Sequence, residues 1–198
     1  MSLESTSALI ADVIKTNKPR FVTDKVLLSV LTQESHCEAF FQKTDEQYKA
    51  NMKVATTLLH KTEAEVLALV SSKDRIFKFR TEPGIFSSKK YEKLSPERKF
   101  YLSTSVGLGQ LMGFNLFGPN STQMASIFNS FALDEHWQVV EACNMFDDLM
   151  ARAFASPQIK DKSLKSLTFH AYCGYNSGNI ISQNPDVIAR ANEVANRV

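Results

Sequence analysis

Three groups of residues in this chain have the types and spacing to do chemistry on a sugar. The first is Glu34, at the end of the run Thr23–Glu34. Leu27, Val30 and Leu31 recur at i, i+3 and i+4, which makes one apolar stripe of a helix, and Glu34 falls at i+7 on the same stripe. A carboxyl on the core side of a helix loses water, and desolvation favours its neutral form. A carboxyl kept protonated near neutral pH can give its proton to a leaving group. The competing reading is a helix-end glutamate whose head reaches solvent or meets an arginine.

The second group is Ser105–Gly113, where Gly107, Gly109 and Gly113 surround Gln110. Closely spaced glycines let a ligand or another chain approach the backbone. A glutamine amide both donates and accepts, which suits sugar hydroxyls and N-acetyl groups. Alternatively, Gln110 is bonded internally in a glycine-loosened buried helix. The third group is Gly174-Tyr175-Asn176-Ser177-Gly178, closing an apolar run. Tyr175 brings a phenol, Asn176 suits a left-handed position or a polar ligand contact, and the two glycines allow a tight turn. The alternative is a helix C-cap with Tyr175 packed on the core.

In this order the three groups resemble the lysozyme-like lytic transglycosylase and muramidase superfamily, which includes soluble lytic transglycosylases and goose-type lysozymes. Its members carry Glu-Ser at a helix end, then Gly-Leu-x-Gln-Ile/Leu-Met, then Ala-x-Tyr-Asn-x-Gly. Here these are Glu34-Ser35, Gly107-Leu108-Gly109-Gln110-Leu111-Met112 and Gly174-Tyr175-Asn176-Ser177-Gly178. Residues 37–104 separate the first two motifs, a longer spacing than in many lytic transglycosylases. That spacing, with Gln110-Leu111-Met112-Gly113-Phe114-Asn115, looks more like phage-type muramidases. Arg80-Thr81-Glu82-Pro83 within the insert also looks like a segment those proteins carry.

The resemblance implies peptidoglycan glycan strands as substrate and the N-acetylmuramic acid–N-acetylglucosamine bond as the target. Glu34 would be the catalytic acid. Ser35, Gly107, Leu108, Gln110, Met112, Tyr175 and Asn176 would contact sugar or shape the site, with Tyr175 close enough to bond the glutamate. A lytic transglycosylase uses the same carboxyl next as base and leaves a 1,6-anhydro end. A hydrolysing muramidase usually adds a second carboxylate, for which Glu82 and Asp45 are the candidates in the insert. A non-catalytic peptidoglycan-binding or virion structural domain is the alternative from another class. No cofactor is implied. Entry to the wall would follow holin release or carriage in a phage particle or secretion machine, because the amino terminus has no basic run before an apolar core and does not read as a secretory signal.

Elements that could position these groups read almost wholly as helix. The expected fold is all-α: one lysozyme-like domain over residues 1–198, with a long insert between the Glu34 helix and the Gly-Leu-x-Gln element. Helices are expected over 3–16, from Thr23 to Glu34, after the Thr62–Glu65 capping box, from Ser95-Pro96 to Leu102, from Ser121 through Phe131, over 134–154, over 162–172 and over 186–197. Thr81–Gly84 reads as a turn, and loops are expected at 80–95 and 173–184. Phe114, Phe117, Phe128 and Phe131 read as core.

Composition narrows the field. With 23 basic and 21 acidic residues the net charge is +2, which does not imply a nucleic-acid partner. No run approaches the roughly 18 apolar residues that span a bilayer. Cys37, Cys143 and Cys173 have no C-x-x-C spacing and read as buried free thiols. His36, His60, His136 and His170 fit no metal-ligand spacing.

Overall fold

The computed structural model describes residues 3–37, 45–70 and 79–198. In chain order its elements are α1 (Leu3–Asn17), α2 (Asp24–Ser35), α3 (Asp45–Leu59), α4 (Glu63–Leu69), β1 (Phe79–Thr81), α5 (Pro83–Phe86), a 3-10 turn at Lys89–Tyr91, α6 (Pro96–Ser103), β2 (Thr104–Val106), β3 (Leu111–Met112), α7 (Gly113–Leu116), α8 (Met124–Leu133), α9 (Glu135–Ala155), α10 (Leu164–Ser177) and α11 (Pro185–Asn196). The protein is mostly helical, as the periodicities predict. It forms two compact units: residues 1–37 with 136–198, and residues 38–135.

In the first unit, α1 and α11 pack on α2, and α10 packs on α11. The core takes Ile10 and Val13 from α1, Val26, Leu27, Val30 and Leu31 from α2, and Val139, Ala142, Phe146, Met150 and Ala153 from α9. Leu167, Ala171 and Tyr172 of α10 and Val187, Ala191 and Val194 of α11 complete it. The short connection between α1 and α2 is pinned by one side chain. Asp147 of α9 accepts the backbone N–H groups of Phe21 at 2.7 Å and Val22 at 3.1 Å on Oδ1, and that of Arg20 at 3.1 Å on Oδ2. Helix α10 runs to Ser177 rather than ending at Tyr172, so Tyr175 and Asn176 are helical and Asn176 is not left-handed. Gly174 serves packing instead of a turn: an added Cβ would come within 2.8 Å of Leu149 and 2.9 Å of Ile180. The left-handed C-cap is Gly178, at φ 75°.

The second unit holds the departures from an all-helical reading. Strands β1, β2 and β3 form an antiparallel sheet in that order, with Arg80 opposite Ser105 and Ser105 opposite Met112. Thr81 ends β1 and Pro83 opens α5, so Thr81–Gly84 is a strand-to-helix junction rather than a free turn. The capping box is present: Thr62 Oγ1 accepts from the Glu65 N–H while Glu65 accepts from the Thr62 N–H at 2.8 Å. Helix α8 starts at Met124, not at Ser121, whose hydroxyl accepts from the Gln123 N–H in the preceding turn. Phe117, Phe128 and Phe131 are buried, but Phe114 is 41% exposed and is not core.

Candidate active site

Glu34 stands in the last turn of α2. Thr23 caps that helix by accepting from the Val26 N–H. At the other end His36 adopts φ 55°, and its N–H and that of Cys37 return to the carbonyls of Thr32 and Leu31. The backbone around the acid is therefore closed at both ends by hydrogen bonds. Glu34 is half-buried. The hydroxyl of Tyr172, a residue of zero exposure on α10, donates to its Oε1 at 2.5 Å. A hydrogen bond this short to a carboxyl fixes the side chain's rotamer.

The phenol keeps its proton here. Burial pushes the Tyr172 pKa above the ordinary phenol range, the Glu34 charge and hydrogen bond add to the rise, and the Arg190 guanidinium opposes it through charge and hydrogen bonding. Tyr175, one turn along and half-buried, stacks near Tyr172 with ring centroids 6.4 Å apart and lies 5.9 Å from the Phe146 ring. Its pKa is also raised well above the usual value, first by burial, then by Glu34 and Tyr172. Both tyrosines therefore stay neutral at physiological pH and hydrogen-bond without acting as bases.

The first unit thus brings Glu34 and Tyr175 together, with Asn176 half-buried on the next position of α10. Ser35 is fully buried, and its hydroxyl donates to the Leu31 carbonyl at 3.0 Å, so it is a core group and not a surface contact for sugar. Sequence reasoning missed Tyr172 and Arg190. For Tyr172 a signal existed, since it shares a helix face with Thr168 and Tyr175 at i, i+4 and i+7.

In the second unit, Gly107–Gln110 is the turn between β2 and β3. Gly107 and Gln110 take positive φ, 83° and 49°. The Gln110 N–H and its Nε2 donate to the Gly107 carbonyl at 3.1 and 2.9 Å, and Ser105 donates to Oε1 at 3.4 Å. The amide is bonded internally, holding its own hairpin, but in a turn between strands and not in the buried helix of the alternative reading. Gly107 and Leu108 are buried, while Gln110 and Met112 reach the surface in part. Glu82 pairs with Arg80 at 2.7 Å on the surface of this unit. Asp45 opens α3, and its side chain lies outside the described residues.

Among the described residues no three His, Cys, Asp or Glu side chains are grouped to hold a metal, and no helix is long and apolar enough to cross a membrane. All three cysteines are buried and free. Burial raises each thiol pKa, that of Cys143 to about 11, which removes them as nucleophiles. No family model, curated protein or solved structure matches this chain.

Proposed function

We propose that this protein cleaves the β-1,4 bond between N-acetylmuramic acid and N-acetylglucosamine in peptidoglycan, with Glu34 as general acid and then base. The carrying observation is the half-buried Glu34 carboxyl held at 2.5 Å by a fully buried, neutral Tyr172. In the first step Glu34 gives its proton to the glycosidic oxygen as the C1–O bond breaks, leaving an oxocarbenium-like sugar and a carboxylate. As Glu34 gains charge, the Tyr172 O–H···O bond becomes charge-assisted and strengthens. That stabilisation grows along the reaction coordinate, which is what lowers a barrier.

In the second step the muramic acid C6 hydroxyl attacks C1 and the Glu34 carboxylate takes its proton. The product is a 1,6-anhydro end, and Glu34 is restored to its acid form. A tethered hydroxyl needs no separately oriented water. The supporting sequence pattern is the ordered set Glu34-Ser35, Gly107–Met112 and Gly174–Gly178, and a lysozyme-like architecture is part of the same proposal.

The test is a zymogram on purified cell wall with wild type beside Glu34→Gln. Wild type should clear the wall. The glutamine variant should lose about 10²–10⁴ of the rate, the usual worth of a general acid, while keeping its circular dichroism. Equal clearing by a folded Glu34→Gln protein would remove Glu34 from the mechanism.

A further inference from the structure

Arg20 and Phe21, in the connection between α1 and α2, meet Phe154 near the end of α9. The Arg20 guanidinium lies 4.9 Å from the Phe21 ring centre and 5.9 Å from that of Phe154, and the two rings are 5.3 Å apart. Lys162 Nζ approaches the same Phe154 ring at 5.8 Å. Two sets of hydrogen bonds hold the cluster in place. Asp147 takes the N–H groups of Arg20, Phe21 and Val22. Lys162 Nζ donates to the carbonyls of Ala153 at 3.0 Å and Ser156 at 2.8 Å, which end α9.

A buried ring pair would be ordinary core, but Phe154 is 44% exposed, and Leu164, two residues beyond Lys162, is 39% exposed. Lys18, Arg20, Lys160 and Lys165, close by in sequence, are exposed too, and none of the four forms an ion pair among the described residues. Residues 18–21 and 147–165 carry six basic side chains against three acidic ones, a net +3 that exceeds the +2 of the whole chain. The positive excess of the protein is concentrated here. Two of the three carboxylates are occupied within the chain: Asp147 as above, and Asp161 by the N–H and hydroxyl of Ser163 at 2.8 and 2.9 Å. An apolar ring left in water with cations at its rim gains from an apolar layer bordered by negative charge. A soluble polyanion would answer the cations and leave Phe154 and Leu164 in water.

We propose that the Arg20–Phe21–Phe154–Lys162 cluster docks this protein on the surface of an anionic phospholipid bilayer. Phe154 enters the boundary between headgroups and acyl chains. Arg20, whose planar guanidinium matches a phosphate, and the exposed lysines meet the headgroups. The contact is peripheral, and no helix among the described residues is long and apolar enough to cross a membrane. Docking of this kind involves no glycan chemistry and does not depend on the role of Glu34.

The experiment is co-sedimentation of the full chain with vesicles of mixed phosphatidylserine and phosphatidylcholine, beside vesicles of phosphatidylcholine alone. Wild type should sediment with the first and not the second, less so as salt rises. Phe154→Ser and Lys160→Gln, each checked for folding by circular dichroism, should each lower the partition coefficient about fivefold, the order of one ring or one cation at such a surface. Lys53→Gln, an exposed lysine of α3, should leave it unaltered. Phe154→Trp adds a second indole to the one at Trp137. Its emission, taken as the difference from wild type, should shift to the blue on the anionic vesicles and stay in place with heparin, a soluble polyanion. That shift decides the matter if Phe154→Ser does not fold. No sedimentation, equal sedimentation with both vesicles, or a loss in Lys53→Gln as large as in Lys160→Gln would overturn the inference. So would a folded Phe154→Ser that binds like wild type, or an emission that does not move, either of which marks a surface for polyanions instead of lipid.

Discussion

Replacing Asp147 tests how α2, and with it Glu34, is held in place. Its carboxylate, on α9, takes three backbone N–H groups from the connection before α2, about 125 positions away in the chain. Asp147→Ala removes all three acceptors. The Phe21 and Val22 amides are part-buried, and Val22 is only 4% exposed, so both are left poorly satisfied. Each such donor costs about 1–3 kcal/mol. The Arg20 amide is exposed and finds water, so it adds little. The sum is about 4 kcal/mol, and at about 2–4 °C per kcal/mol for a chain of this size the Tm falls by roughly 8–16 °C. Asp147→Asn keeps one carbonyl oxygen and should lose about 1–2 kcal/mol, since charge assistance and one acceptor go. Thermal unfolding followed by far-ultraviolet circular dichroism gives both numbers. An alanine variant within about 0.5 kcal/mol of wild type, the range of an ordinary surface substitution, would refute the clamp.

Gly113→Ala should destabilise the second unit by about 2 kcal/mol or more, because a Cβ there overlaps the Tyr101 carbonyl, which is backbone and cannot swing aside; an unchanged denaturation midpoint would count against that packing. Thr62→Ala should cost about 1 kcal/mol by breaking the capping box of α4, read as a shift in denaturant midpoint, and a shift near zero would mean the cap contributes nothing. Alkaline stability should decline from pH 9 to 12. Burial lifts Cys143 from 9.0 to about 11, with a smaller push from Asp147, and lifts Tyr101 from 10.0 to about 12, with a smaller push from Glu97. In both cases the folded pKa is raised. Their stabilisation is thus complete below the unfolded pKa, and it is lost as pH rises through the folded one. Flat unfolding free energies across that range would contradict these burials.

Much of the helical frame was legible because its signals are local. Thr23, Thr62, Ser95 and Asn184 all cap the helices they precede. The Leu27–Leu31 stripe put Glu34 on the inward side of α2, where it is half-buried and meets Tyr172. The sheet was not legible: β2 is three residues buried on both sides, so it shows no alternation, and its turn uses a left-handed Gln110 that residue type does not announce. Within the site, the Tyr-Asn-x-Gly pattern drew attention to Tyr175, while the phenol donating to Glu34 Oε1 is one turn earlier, at Tyr172. Local sequence also could not reveal Asp147 or Arg190, whose partners come from elements more than 15 residues away. Phe114 looked like core by type and stands exposed, since α7 is a single turn with only Gly113 fully buried.

If Glu34 is the acid and then the base of a glycan-cleaving reaction, its products carry the record. Purified peptidoglycan should be digested with wild type and with folded Glu34→Gln, and the released muropeptides weighed by mass spectrometry. Wild type should release fragments ending in 1,6-anhydromuramic acid, one water lighter than reducing-end fragments, and Glu34→Gln should release essentially none. Reducing-end fragments that vanish in Glu82→Gln or Asp45→Asn would replace the transglycosylase step with hydrolysis. Equal release by wild type and Glu34→Gln would contradict the role given to Glu34 altogether.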